Sequence, residues 1–304
     1  MLGCGGRREV TSLPEAAIQE AELGTLIEQF QLPEQLTYGS ADNGLGAFNP
    51  SGDRIVFQSN RDGRWQLYLF NLTDNSVSRL LESSSNDENP VWTLDGEAVV
   101  FVSDRSGSGE LDRDIYLYSV AENVTAPLIA SQGDDWYPLP VNEDSFIFLS
   151  DRLSASDTGS TEPFPAVYRS SLFAGGEPEL VIEPELHPSA PLYLPDGRYV
   201  YRNRDGRLIQ FDPLLNEEST LTPREFRCGT PAYDKARNWL AFPARRGEEL
   251  SLYLYDLAAR KMQMVTTVTG DARSPQFAPD GSWILYTQEV EGKFQMFRLG
   301  LTTP

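Results

Sequence analysis

The sequence is poor in the residues from which catalytic and metal sites are usually built. It has one histidine, His187, and two cysteines, Cys4 and Cys228, among 304 residues. Two cysteines can form at most one disulfide, which excludes a disulfide framework. A structural zinc site takes three or four His or Cys ligands, so the composition argues against one. A hydrolytic site built on a histidine would have to use His187, which we expect to be a structural loop residue.

Longer motifs are missing as well. No apolar run approaches the roughly 20 residues needed to span a bilayer, and no complete signal peptide is present. The nucleophile-elbow, phosphate-loop and dinucleotide patterns do not occur, so we expect no enzyme and no cofactor.

Lys and Arg number 25 against 45 Asp and Glu, a net charge of −20. Because this charge repels phosphate backbones, we expect no nucleic-acid partner.

The first six residues resemble the end of a bacterial lipoprotein signal, in which Leu and small residues precede a lipidated Cys. One hypothesis is that the start has been cut and that Cys4 is the acylated residue. The alternative is an incidental cysteine near a terminus, and the sequence leaves both open. Ser12 and Glu15 have the spacing of a capping box, which predicts a short helix over residues 14–23. We therefore interpret residues 1–33 as a tether with a short helix.

A four-part pattern occurs six times along the rest of the chain. An apolar residue follows a Pro, a turn of Pro, Asp and Gly comes next, a strand then ends in Ser-Asp-Arg or a variant, and a Tyr-rich strand follows. The visible cores span residues 47–69, 89–118, 137–168, 190–211, 230–255 and 274–297. A period of about 40–45 residues with four strands per unit is typical of a propeller blade.

Each unit predicts a sheet that is covered on both faces. The strands at residues 55–59 and 99–103 are almost continuously apolar, as expected when neighbours bury both sides. The last unit lacks a fourth strand, and residues 33–37 have the form of one. We therefore predict an all-β, six-bladed β-propeller of four-stranded antiparallel blades over residues 34–304. The N-terminal strand closes the ring as the outer strand of the last blade, which removes a free sheet edge.

These repeats resemble the TolB-like β-propeller family, whose PD40 repeats are related to WD40 repeats. The similarity lies in residues 90–96 with the Ser-Asp-Arg at 103–105, and in residues 275–281. It covers about residues 34–301. The family includes a periplasmic adaptor that binds an envelope lipoprotein. The resemblance therefore implies a periplasmic or cell-surface location and a protein partner, which could be such a lipoprotein.

The loops that precede the innermost strand of each blade should converge on one mouth of the channel. We expect a partner to bind there, because mixed aromatic, Arg and acidic rims are typical of interfaces. The candidate residues are Asn43, Glu88, Asn89, Asp135, Trp136, His187, Arg227 and Arg273. The carboxylates could hold Ca²⁺, but solvated loop acids are the simpler interpretation, so we assign no metal. The repeat arginines are expected to donate to carbonyls of the turn and of the neighbouring blade.

The sequence therefore predicts a non-catalytic, monomeric scaffold that binds a protein partner across the channel mouth. In this interpretation the chain meets a membrane only through a lipid on Cys4. The alternative is a carbohydrate-binding or polysaccharide-processing propeller, for which His187 and a few arginines are the available groups.

Overall fold

The computed structural model describes most of the chain: residues 22–23, 26, 30–106, 113–131, 133–152, 164–173, 176–267 and 272–301. Cys4 lies outside these residues, as does the predicted helix up to residue 21. The last two residues of that helix form the short strand β1 (Glu22–Leu23) instead. Within the described residues, no helix has the length and apolar character needed to cross a membrane.

Over the described residues the strands form six sheets, which confirms the predicted six-bladed propeller. Blades one to three, each from its innermost strand outward, are β3 (Asn43–Phe48), β4 (Arg54–Ser59), β5 (Gln66–Asn71) and β6 (Val77–Arg79); β7 (Asp87–Trp92), β8 (Ala98–Ser103), β9 (Asp114–Ser119) and β10 (Val124–Ile129); and β11 (Asp135–Pro140), β12 (Ser145–Ser150), β13 (Ala166–Ser171) and β14 (Glu179–Ile182).

The other three blades share the same plan. Blades four to six are β15 (Ser189–Tyr193), β16 (Tyr199–Arg202), β17 (Leu208–Asp212) and β18 (Glu217–Thr220); β19 (Phe226–Cys228) with β20 (Ala232–Asp234), β21 (Trp239–Arg246), β22 (Glu249–Asp256) and β23 (Lys261–Thr267); and β24 (Ala272–Phe277), β25 (Trp283–Val290), β26 (Lys293–Gly300) and β2 (Glu34–Gln35).

Neighbouring blades bury their facing surfaces in apolar clusters, and the described residues include one cluster at each of the six junctions. Between blades one and two, Val56, Val99 and Phe101 are fully buried. The second strands β4, β8 and β12 are buried along nearly their whole length. Burial of one such side chain contributes about 1.5–3 kcal/mol. The ring exists because each blade covers an apolar face of the next.

The ring closes where the predicted N-terminal strand joins the last blade. β2 pairs antiparallel with β26. Just beyond it, Leu36 N donates to Met296 O at 2.8 Å, and Met296 N donates to Thr37 Oγ1 at 2.8 Å. Leu36 also packs with Ile55 and Leu285 in the cluster between blades six and one. The predicted closure is confirmed, and the seam is held by both hydrogen bonds and apolar packing.

A second N-terminal strand extends blade five, which the sequence did not indicate. β1 pairs in parallel with β23 and adds a strand to the outer edge of that sheet. Leu26 N donates to Gln263 Oε1, and Gln31 N donates to Gly300 O at 3.1 Å. The described parts of residues 22–35 therefore lie along the outer edges of blades five and six.

The innermost strands are interrupted where they face the channel. Five of them contain a bulge that begins at a residue with positive φ: Leu45, Asn89, Tyr137, Ala190 and Ser274. Four of these residues precede a proline, which has no N–H to leave unpaired at the bulge. In blade five the strand is divided into β19 and β20. Positive φ is costly for residues other than glycine, so packing around the axis must hold these conformations in place.

The propeller has two different faces. The upper face carries the loops that lead into the innermost strands and the hairpins that join second and third strands. The lower face carries the turns that join first and second strands, such as residues 49–53. Because the blades share one orientation, every upper loop lies near the same mouth of the channel.

Leu36→Ala tests the seam, with Leu32→Ala as a control in the same segment. Leu36 is 7% exposed, whereas Leu32 is 89% exposed. We expect L36A to lower the free energy of unfolding by about 2–4 kcal/mol, because it leaves a cavity between blades six and one. L32A should change it by less than about 0.5 kcal/mol. Urea denaturation followed by tryptophan fluorescence measures both values, and equal losses would contradict the closure.

Candidate binding site at the upper mouth of the channel

The repeat arginines of blades one to three tie the upper ends of their own blades together. Arg105 donates from Nε to Ser103 Oγ at 2.9 Å and from Nη2 to Asp87 Oδ1 at 2.7 Å. Its guanidinium also lies over the rings of Phe101 and Tyr116. The expectation that these arginines donate to turn carbonyls and to the neighbouring blade was wrong for these contacts. Asp87 stands opposite Ser103 in the sheet register, so its carboxylate is the closer acceptor.

Blades one and three repeat this arrangement, which we call the arginine tie. The corresponding sets are Arg61, Ser59 and Asn43 in blade one, and Arg152, Ser150 and Asp135 in blade three. Asn43 and Asp135, both expected to contact a partner, are 1% and 0% exposed. Burial raises the pKa of the Asp135 carboxyl, against the effect of hydrogen bonds from Ser150 and Arg152. Both side chains therefore lie beneath the mouth of the channel, buried against arginines of their own blades.

Blades four to six have other residues at the positions of the tie. In the register that pairs Asp87 with Ser103, blade five pairs Cys228 with Ala244 and blade six pairs Ala272 with Gln288. In blade four the pair Ser189 with Arg202 corresponds to Glu88 with Val102, and Pro188 stands at the position of Asp87. None of these innermost positions carries a carboxylate. Because Cys228 and Ala272 are small, they leave space where the longer side chains of the tie fill the other half of the mouth.

The space between blades four and six forms a pocket of about 380 Å³ on the upper face. Its lining contains Arg202, Arg227, Arg245 and Arg273, together with small or apolar residues. We call it the arginine pocket. Among the described residues that line it there is no acidic and no aromatic side chain. Arg227 and Arg273 were expected at the mouth, and the structure brings these two together.

All four of these arginines have contacts within the chain. Arg227 Nη1 donates to Arg224 O at 3.0 Å, and Arg245 Nη1 donates to Glu248 O at 3.3 Å. Arg202 Nε donates to Ser189 Oγ at 2.9 Å. The Arg273 guanidinium lies over the Phe294 ring, 4.3 Å from its centroid. Guanidinium groups bind carboxylates and phosphates through paired hydrogen bonds, and fixed ones lose less side-chain entropy on binding. The pocket is therefore suited chemically to an anionic group.

Below the pocket the channel narrows to a cavity of about 40 Å³. Thr230 and Ser274 line both spaces, so the two are adjacent. Asn89, expected at the mouth, lines the narrow part instead, and its N–H donates to Gln58 Oε1 at 2.8 Å. A space of this size holds about one water molecule.

The other expected mouth residues do not line the arginine pocket. Glu88 is half-buried, and this burial raises the pKa of its carboxyl. Trp136 is also half-buried, with the Arg113 guanidinium 5.9 Å from its ring centroid. His187 ends the 3₁₀ helix Pro184–Leu186 in a left-handed conformation. These three residues belong to the rim but do not meet Arg227 and Arg273 in one cavity.

Cys228 is the thiol that lines the arginine pocket. It is 4% exposed, and burial raises the pKa of the thiol to about 11. It therefore stays protonated at neutral pH, whereas the thiolate is the reactive form. The described residues also contain no group of three or more His, Cys, Asp or Glu placed to hold a metal ion. The Ca²⁺ site considered from the sequence stays a prediction.

Sequence reasoning missed Arg202, Arg245 and Thr230. Arg202 stands where blade two has Val102, and blade five has lost the Ser-Asp-Arg motif altogether. These departures from the repeat were the available signal. The pocket forms where the motif is lost.

Arg152→Met tests the arginine tie. We expect it to lower the free energy of unfolding at pH 7 by about 2–4 kcal/mol, because it leaves the buried Asp135 carboxylate without its cation. The folded-state pKa of Asp135 is already raised, and loss of Arg152 raises it further. A carboxyl whose pKa is higher in the folded state than in the unfolded chain favours folding at low pH, where it is protonated. At a pH above that pKa the buried carboxyl is ionised, and this lowers the stability of the fold. The loss should therefore be smaller at pH 5 than at pH 7.

Arg204→Met is the control for this substitution. Arg204 lies in the corresponding hairpin of blade four and is exposed, so its loss should cost less than about 0.5 kcal/mol. Urea titrations at both pH values measure the effect. A loss for R152M that matches R204M, or that grows as the pH falls, would contradict this account.

Residues 34–158 match the family model of the TolB beta propeller domain. The Tol-Pal system protein TolB of Gluconobacter oxydans is 37% identical over 115 residues, which cover 36% of this chain and 25% of the relative. The chain thus matches about a quarter of the length of that relative.

Solved structures share the fold at low sequence identity. An oligogalacturonate lyase in complex with manganese superposes with a TM-score of 0.62 at 14% identity, covering 93% of this chain and 98% of the lyase. A gluconolactonase from Xanthomonas campestris gives a TM-score of 0.66 at 14% identity, with 90% of each chain covered. Identities this low show the shared fold alone.

These structures overturn the prediction that the chain is not an enzyme. That prediction rested on the scarcity of His and Cys and on missing motifs, yet propellers of this shape include a lyase and a gluconolactonase. The missing motifs are typical of other folds, so their absence does not exclude catalysis in the channel of a propeller. Catalysis therefore belongs to the range of functions that this fold carries.

Proposed function

Because residues 34–158 match the family model of the TolB beta propeller domain, we propose that the chain binds a partner protein across the upper mouth of its channel. The observation that carries the proposal is the arginine pocket, a cavity of about 380 Å³ on that face. Arginine is enriched at the energetically important centres of protein interfaces. The half-buried Trp136 lies in blade three, next to blade four, so aromatic and cationic groups share one rim.

We take the proposed partner and the proposed cellular location from the resemblance to the TolB-like family. The relative from Gluconobacter oxydans is named as a Tol-Pal system protein, which associates it with other proteins. By that resemblance we place this chain in the cell envelope, as a monomer, with an envelope lipoprotein as its partner. The chain's net charge of −20 fits a partner that is not a nucleic acid.

The proposed location includes a lipid anchor on Cys4. The residues around it have the form of a lipoprotein processing site. Native protein extracted from membranes should carry a mass increment the size of a diacylglycerol, and Cys4→Ser should lack it. Intact-mass spectrometry decides this, and a native protein without the increment would rule the anchor out.

A second candidate function is the binding or processing of an anionic carbohydrate. The shared fold with an oligogalacturonate lyase makes a uronate a ligand to consider, and arginines bind its carboxylates as readily as those of a protein. The part of the arginine pocket's lining that the structure describes, however, offers no aromatic ring on which a sugar could stack. For that reason the protein partner is the first proposal.

Photo-crosslinking from defined positions tests partner binding across the mouth. A crosslinkable amino acid replaces exposed residues in the upper hairpins of blades one, four and six: Arg64, Asp205 and Glu291. We expect one and the same envelope protein to be captured from all three positions, because a partner that covers the mouth lies near every upper hairpin.

The matched control uses exposed residues in the lower turns of the same three blades: Asp53, Asp196 and Asp280. These positions should not capture that protein. Capture from the lower turns alone, or from neither face, would refute the proposal.

A further inference from the structure

We infer that the arginine pocket binds carboxylate side chains of an acidic peptide segment presented by the partner. This inference rests on the proposed function and adds the chemistry by which the partner is recognised. The pocket combines a concave shape with four lining arginines.

The charge of the pocket is opposite to that of the molecule. The chain carries −20 overall, yet the described lining of the pocket includes four arginines and no Asp or Glu. Two acidic residues elsewhere on the upper rim are paired within the chain, Asp134 with Arg113 at 2.7 Å and Asp42 with Lys293 at 3.5 Å. The charged side chains in the described lining of the arginine pocket are all positive.

This contrast gives the site its selectivity. An acidic segment is repelled by most of the surface of a protein with this net charge. It is attracted where guanidinium groups converge and can form paired hydrogen bonds to carboxylates. Repulsion elsewhere together with attraction at one point fixes where an acidic segment can dock.

The shape and lining favour a peptide over the other anionic ligands. A volume of about 380 Å³ accommodates two or three side chains, which suits consecutive Glu or Asp residues. Leu250 and Pro243 add apolar contacts for the methylene groups of glutamate. A uronate oligosaccharide would find no aromatic ring in the lining. A free phosphate ion could occupy part of the site but would leave most of the pocket unfilled.

Binding of a defined peptide to the full chain tests the inference. The probe is fluorescein-labelled hexaglutamate with blocked ends, and hexaglutamine is the uncharged control peptide. Fluorescence anisotropy should show saturable binding of hexaglutamate and none of hexaglutamine. The double variant Arg227→Gln with Arg273→Gln should weaken binding at least about tenfold, because two guanidinium partners are lost. Both side chains are exposed, so the fold should tolerate the change.

The control variant is Arg64→Gln with Arg204→Gln, which removes two exposed upper-face arginines outside the pocket. It should bind hexaglutamate within about twofold of the unchanged chain, since it removes only exposed charge.

Competition with trigalacturonate and with inorganic phosphate completes the experiment, and both should displace the peptide only weakly. Equal binding of hexaglutamine, equal affinity of the pocket variant, or tighter binding of trigalacturonate or phosphate would each overturn the inference.

The two proposals can fail separately. If the upper hairpins capture a partner but hexaglutamate does not bind, partner binding stands and the acidic recognition falls. If hexaglutamate binds the pocket but the upper hairpins capture nothing, the pocket's anion preference stands and the protein-binding role falls.

Discussion

Burial of both faces of each blade against its neighbours is the constraint on which the structure depends. A strand such as β8, buried at all six positions, is stable only if sheets cover it from two sides. Six sheets satisfy this condition by closing a circle, and the circle needs β2 to complete its last member. The closed ring then fixes where every loop lies, so the upper mouth is a consequence of packing between blades.

Within that frame the two halves of the mouth are used differently. Blades one to three fill their upper ends with the arginine tie, in which buried Asp87 and Asp135 accept from arginine and serine. Blades four, five and six have Pro188, Cys228 and Ala272 at the position of Asp87. Arginines fill the mouth in blades one to three, where they form the arginine tie, and they line an open pocket in blades four to six. The repeated blades thus form the scaffold, and the pocket lies where the arginine tie is absent.

Features that arise from repetition could be predicted from the sequence. The blade count, the turns and the closing strand are all set by copies of one pattern, and the structure confirms them. The parallel strand β1 could not be predicted, because two residues carry no periodic signal and their pairing depends on an edge formed far along the chain. Asn43 and Asp135 were expected at the surface but are buried, because the register turns each toward an arginine of its own blade. The site itself required the folded geometry, which alone brings Arg202, Arg227, Arg245 and Arg273 around one cavity.

Native-state hydrogen exchange of the second strands tests the central claim most directly. If packing between blades holds the ring as one unit, β4, β8, β12, β16, β21 and β25 share one cooperative opening, and their slowest amides should exchange within about tenfold of one another. One blade whose second strand exchanges about a thousandfold faster than the rest would show that it opens alone. That result would contradict a structure in which each blade depends on both neighbours.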